Sequence, residues 1–200
     1  MLVEGIAEAL LLPVIAKYHA FPGNEEKYRR FRAATFVAID GVDFDPYVKI
    51  LLTPFNSTRI CERLVLITDG DKSNQTGAQL PGQKRKDQLE RVARYREASD
   101  NLTVEVSTYT LESELIEAGN EQIMESAFLE LYRDSKSSWD QAIVKTGDDR
   151  AKAVENLFKH RRKGDFAQVL AERIASYPDF KIPDYLAQAL EALVENSDAV

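Results

Sequence analysis

Cysteine and histidine are nearly absent from this chain of 200 residues, which has one Cys and two His. A lone Cys61 cannot build a disulfide framework, so a reducing cytoplasm is the expected compartment. His19 and His160 read as packing or surface residues rather than ligands. No run of consecutive apolar residues is long enough to cross a bilayer, so no membrane partner is expected. The opening Met1-Leu2-Val3-Glu4-Gly5 has no charged leader ahead of its apolar stretch and does not read as a signal peptide; the chain begins as if inside a fold. There is no G-x-x-x-x-G-K-[ST] phosphate loop, no internal repeat and no low-complexity tract. No Gly/Ser linker is long enough to free one part of the chain from another, and nothing resembles a zinc module or a base-reading helix.

Positive charge is in the minority, with 26 Lys and Arg against 33 Asp and Glu and a net charge of -7. Such a balance argues at first against a nucleic-acid partner, because phosphate binders usually present a basic face. A site that works through metal ions is different: it concentrates carboxylates, and bound divalent cations reverse the local sign. The basic residues gather in two places, Lys84-Arg85-Lys86 with Arg91, Arg94 and Arg96, and Lys159-His160-Arg161-Arg162-Lys163. Each run, taken alone, reads as a solvated helix face.

Along residues 2 to 118, strand and helix signals alternate. Residues 2 to 4 form a strand end, and Gly5 turns the chain into an apolar helix from Ile6 to Ala16, which Pro13 should kink. The stretch from His19 to Arg32 is polar and reads as an irregular surface excursion. Ala34 to Ile39 reads as a buried strand, and a helix follows over Pro46 to Leu52. Arg63 to Thr68 is a continuous aliphatic run, the mark of a strand covered on both faces. Lys72 to Gln83, rich in Gly, Ser, Asn and Gln, reads as a mobile loop before a helix over Lys84 to Ala98. Leu102 to Ser107 alternates like a last, more exposed strand, and Leu111 to Ala118 is helical. This order predicts an α/β fold, a Rossmann-like parallel sheet with helices on both faces. After Gly119 no strand signal appears. Helices are predicted over 121–134, 138–145, 149–162, 165–176 and 183–195, an all-helical C-terminal appendage. The division is therefore an α/β domain over 1–118, the part expected to carry the site, and a helical domain over 119–200.

Ligands of parallel α/β sheets bind at the carboxyl ends of the strands, and here those ends carry acids. Glu4 ends the first strand, Asp69 and Asp71 a later one, and Glu112 follows the last. Residues two apart in an extended chain point the same way, so Asp69 and Asp71 can converge on one cation. Glu8, one helical turn beyond Glu4, can lean over the same spot. A lone Asp-Gly-Asp is most often only a turn. Acids after three strands of one sheet are a different matter: crowded carboxylates repel unless metal is present, which implies Mg2+ or Mn2+.

Several strings resemble one family. Leu2-Val3-Glu4-Gly5-Ile6-Ala7-Glu8-Ala9-Leu10-Leu11-Leu12-Pro13 resembles the first Toprim motif as overcoming-lysogenization-defect (OLD) nucleases write it. Gly41 to Lys49 resembles the family's next segment, and Val65-Leu66-Ile67-Thr68-Asp69-Gly70-Asp71 resembles its Asp-x-Asp strand. Thr110-Leu111-Glu112 and Lys163-Gly164-Asp165-Phe166-Ala167 resemble its later motifs. The resemblance implies a Toprim fold and a DNA endonuclease using two divalent cations, Mg2+ or Mn2+, with Glu4, Glu8, Asp69, Asp71, Thr110 and Glu112 as direct or water-mediated ligands. Lys163 would be the cation near the scissile phosphate, Gly164 would permit a tight turn, and Phe166 with Ala167 would anchor the following helix. Lys84, Arg85, Lys86, Arg161 and Arg162 are the candidate DNA contacts. OLD proteins resemble a fusion of an ABC-type ATPase with this nuclease. The absent phosphate loop thus implies an excised C-terminal region whose partner is the missing N-terminal ATPase domain. Ser113-Glu114 departs from the pattern and weakens any role for Glu114. The alternative from another class is a catalytically idle Toprim that regulates or dimerises the ATPase.

Overall fold

The computed structural model describes residues 1–75 and 77–195, so Thr76 of the expected loop and residues 196–200 of the expected helical region lie outside it. Four strands, β1 (Leu2–Val3), β2 (Val37–Ala38), β3 (Leu64–Thr68) and β4 (Leu102–Val106), form one sheet in the order β2-β1-β3-β4. Every pairing is parallel. β3 runs between β1 and β4 with all five residues buried, as an unbroken aliphatic run predicts for a strand covered on both faces.

Alternation along the strands sends side chains to two different cores. Leu2, Leu64, Leu66 and Val104 pack with Phe44, Val48 and Leu52 around helix α3 (Asp45–Leu52) and with Leu89 and Ala93 of α4 (Pro81–Tyr95). Val3, Val65 and Ile67 face the other side, against α1 (Ile6–Ile15) and α5 (Leu111–Glu117). That second core continues into the C-terminal helices: α6 (Glu121–Leu131), α7 (Lys136–Ile143), α8 (Gly147–Phe158), α9 (Lys163–Ile174) and α10 (Asp184–Val194). Each fully buried aliphatic side chain contributes about 1.5–3 kcal/mol. One continuous apolar cluster therefore ties residues on both sides of position 118 into a single arrangement. The parallel sheet flanked by helices, with a helical C-terminal part, is the fold class the sequence pattern predicts. Among the described residues no helix is long and apolar enough to cross a membrane.

Three local expectations fail. The polar stretch from His19 to Arg32 is largely helical: a π turn (Ala16–Ala20) extends α1, and α2 spans Glu25–Ala33. Asn24 caps α2 by accepting the Lys27 N–H at 3.1 Å. The helix has one fully buried residue, Phe31, and is held from outside by α10, through Lys27 to Glu191 at 2.5 Å and Arg30 to the Val194 carbonyl at 3.2 Å. A helix stabilised by a partner far along the chain leaves little local apolar period to read. The second strand is two residues long and partly exposed rather than a buried run over Ala34 to Ile39, because it lies at the sheet edge and pairs only with the short β1. Finally, α4 begins at Pro81 rather than Lys84, using proline at its first position.

Candidate active site

The acids stand where the strands end. Glu4 follows β1, and its Oε1 accepts the Asp69 N–H at 2.8 Å and the hydroxyl of Thr68, the last residue of β3. These bonds fix one carboxylate across two neighbouring strand ends. Glu8 lies on the first turn of α1 and caps it, its Oε2 accepting the Gly5 N–H at 3.1 Å. Asp71 receives its direction differently from the strand alternation expected: β3 has ended, and Asp71 adopts φ +53°, a left-handed conformation tolerated best by Gly, Asn and Asp. Glu112 is buried in the first turn of α5.

Mutual repulsion shows that these acids share one space. Burial, reinforced by Glu4, Glu8, Glu112 and Asp71, holds the Asp69 carboxyl well above its ordinary range. Burial, with Glu112 and Glu4 behind it, pushes Glu8 up to about 7. Glu4 is also raised, its burial outweighing the favourable bonds from Thr68 and Asp69 and the charge of Arg85. The Asp69 carboxylate receives no hydrogen bond among the described residues.

Two cations are seated in this field. Arg85 of α4 donates from Nη2 to Glu4 Oε1 at 3.2 Å, Asp71 Oδ2 at 3.0 Å and the Asp69 carbonyl at 2.6 Å, and from Nε to Thr68 Oγ1 at 2.9 Å. Lys163, the first residue of α9, lies 2.9 Å from Glu112 Oε1 and 3.2 Å from Oε2. Burial opposes the Lys163 charge, but Glu112, Asp69 and Glu8 together outweigh it and hold the ammonium above its ordinary range. With the cations so placed, no three Asp, Glu, His or Cys side chains among the described residues form a ready-made cage for a metal ion. The donor chemistry nevertheless fits a hard divalent cation: the cluster offers carboxylate oxygens and no thiolate or imidazole. The repulsion that Arg85 and Lys163 leave in place is of the kind a divalent cation offsets.

The remaining predicted residues divide. Thr110 is the N-cap residue of α5, buried, its hydroxyl 3.3 Å from Ser113 Oγ, and so lies next to Glu112. Gly164 does not make a turn. It lies inside α9, where a Cβ would stand 3.2 Å from Ile6 Cγ2, so it serves the close approach of α9 to α1. Phe166 and Ala167 are buried as anchors. Lys84 is exposed and Lys86 half-buried on α4. Arg162 is exposed and paired with Asp165 at 2.9 Å. Arg161 is packed, 4.3 Å from the Tyr132 ring centroid, and donates to Ser135 Oγ at 3.1 Å. His19 bonds the Ile174 carbonyl at 2.8 Å and packs on Phe180, as a packing histidine should.

Three residues escaped the sequence reading. Thr68 reads as part of an aliphatic strand, yet it relays Arg85 to Glu4. Glu114, discounted on pattern, accepts the N–H groups of Thr108 and Tyr109, both at 2.8 Å, and so fixes the loop that delivers Thr110 and Glu112. Its signal was a second acid in the first turn after an N-cap Thr. Tyr185 of α10 carried no sequence signal, and its buried hydroxyl has no partner among the described residues. Burial and the charges of Asp69, Glu8, Glu114 and Glu112 push its pKa well up.

A parallel α/β sheet whose strand ends gather carboxylates beside two seated cations, extended by helices, defines an α/β domain with its site at the expected edge of the sheet. Its fold is that of the C-terminal region of OLD proteins. The chain is similar to the C-terminal region of the Burkholderia pseudomallei OLD protein, with a TM-score of 0.68 and 21% identity over 96% of this chain and 94% of that one. It is also similar to the C-terminal region of the Xanthomonas campestris pv. campestris OLD protein, with a TM-score of 0.64 and 24% identity over 96% of this chain and 91% of that one. No family model matches the chain, and no curated protein matches it.

Proposed function

We propose that the chain is a metal-dependent DNA endonuclease module, the catalytic part of an ATPase–nuclease fusion. The observation that carries this reading is the mutual electrostatic crowding of Glu4, Glu8, Asp69, Asp71 and Glu112 at the ends of parallel strands, with Lys163 placed on Glu112. Glu4, Glu8, Asp69, Asp71, Thr110 and Glu112 would hold two divalent cations, Mg2+ or Mn2+, directly or through water. Bound there, such ions supply an activated water and stabilise the leaving 3′ oxygen.

The chain's own residues do the rest. Thr68 and the Asp69 N–H hold Glu4 in one orientation through Oε1, which leaves Oε2 without a hydrogen bond among the described residues. Glu114 holds the loop before α5 and thereby the direction of Glu112. Lys163 offsets the charge that builds on the phosphorane, and a fixed cation there costs no reorganisation during the reaction. Lys84, Arg85, Lys86, Arg161 and Arg162 are the candidate contacts to backbone phosphates, which position DNA without reading its sequence.

A second reading, an idle module that regulates or dimerises the ATPase, is favoured by one observation: Arg85 and Lys163 already neutralise part of the cluster. Incubation with supercoiled plasmid in Mg2+, Mn2+ or Ca2+, with chelator as control, separates the two. Metal-dependent, chelator-sensitive nicking supports the nuclease, and intact plasmid in every metal supports the idle module.

A further inference from the structure

A buried guanidinium needs acceptors, and the Arg85 side chain is only 17% exposed. Its seat is built by backbone contact. A Cβ on Gly82 would lie 2.3 Å from the Asp69 carbonyl oxygen and 2.8 Å from the Gly70 Cα, while the Gly82 N–H donates to the Gly70 carbonyl at 3.2 Å. The start of α4 is thereby pressed onto the end of β3. Arg85, three residues on and on the same helix face, overhangs the strand ends. From there Nη2, which carries two protons, meets three oxygens: Glu4 Oε1, Asp71 Oδ2 and the Asp69 carbonyl. Nη1 has no acceptor among the described residues, so the fork that pairs best with a phosphate is only half used. A small cavity of about 70 Å3, lined by Asp43, Asp45, Gln88 and Arg85 among others, leaves room beside the side chain.

We propose that Arg85 is a placeholder cation that becomes a phosphate ligand: it holds Glu4 and Asp71 in the metal-free chain, gives both up when a divalent cation binds there, and turns its guanidinium onto a backbone phosphate of the DNA. The inference rests on the metal reading above. Glu4 Oε1 already accepts from Thr68, the Asp69 N–H and Arg85, so a divalent ion that takes that oxygen as a ligand competes with the arginine, and two cations forced together in a half-buried site repel. An arginine released there presents a fork that matches a backbone phosphate of bound DNA.

The test is calorimetric titration with Mn2+ alone, comparing the parent with Arg85→Gln. Loss of the competing cation should tighten Mn2+ binding roughly tenfold, within the usual span of coupling between sites. Affinity for a short DNA duplex in Ca2+ should fall in the same variant. Unchanged or weaker Mn2+ binding by Arg85→Gln overturns the proposal. In case the variant does not fold, the isotope-labelled parent gives a second reading by NMR. Its Arg85 Nε–H resonance should shift and lose protection from solvent exchange as Mg2+ is added, and a resonance unmoved at saturation also overturns the proposal. If neither protein binds Mn2+ and the parent resonance stays fixed, the metal reading itself fails and takes this inference with it.

Discussion

Lys163 and Glu112 form an ion pair at 2.9 Å that joins the first turn of α9 to the first turn of α5, bringing a cation from the C-terminal helices onto the carboxylate cluster. If that cation acts on the developing phosphorane, Lys163→Ala should slow nicking about a hundredfold or more while DNA affinity changes little. Lys163→Arg should rescue only in part, since a planar fork does not replace a compact ammonium. Single-turnover rates measured at increasing enzyme concentration, up to saturation of the DNA, make the distinction. A loss that comes wholly from weaker binding would reduce Lys163 to a phosphate contact.

Arg161, two residues away, should behave differently. Its guanidinium lies over the rings of Tyr132 and Phe128, at 4.3 and 5.7 Å from their centroids. Arg161→Ala should therefore cost about 1 kcal/mol of stability, read from urea unfolding, before any effect on DNA. Unaltered stability would return Arg161 to the phosphate contacts alone. Lys159, exposed, is the better control for Lys163.

The pH dependence follows from Glu8. Its folded-state pKa is raised from 4.5 to about 7, so the stability it contributes while protonated is fully present below about pH 4.5. That contribution is lost as pH rises to about 7 and is absent above. The shift corresponds to roughly 3 kcal/mol at most, and Glu4 and Asp69 move in the same direction. Metal-free protein should thus become less stable from mildly acidic to neutral pH, and Glu8→Gln should flatten part of that slope. A metal-free stability that rises over this window would show that the acids are not crowded as described.

Gly82 offers a test of how Arg85 is positioned. Since a Cβ there would sit 2.3 Å from the Asp69 carbonyl, Gly82→Ala must push α4 off the end of β3. A loss of about 1–3 kcal/mol is the usual result of such overpacking. An unchanged urea midpoint would mean that the helix start is not locked to the strand.

Much of this was legible in the sequence, for identifiable reasons. β3 and β4, and the helices after Gly119, carry strong local periods, and the acids follow strands whose existence the pattern established. What could not be read was decided by partners distant in the chain. α2 depends on α10 through Glu191 and the Val194 carbonyl. The left-handed Asp71 and the roles of Thr68 and Arg85 arise only when the ends of β1, β3 and α4 meet. Lys84, Arg85 and Lys86 looked alike as a basic run. Arg85 and Lys86 both lie about one helical turn beyond the glycine that touches the strand, yet Arg85 pairs with Glu4 and Asp71 while Lys86 acts on Glu105 of β4.

The most direct measurement of the central claim is plasmid nicking in Mn2+ by Asp69→Ala and Glu4→Ala beside the parent, with circular dichroism of each. If the carboxylates are the metal site, the parent nicks and both variants are inactive, while their helical and sheet content is unchanged: removing a crowded acid relieves repulsion, and the bonds that Glu4 loses, to Thr68, the Asp69 N–H and Arg85, lie outside the helix and sheet ladders. Near-parental nicking by either folded variant would contradict the assignment.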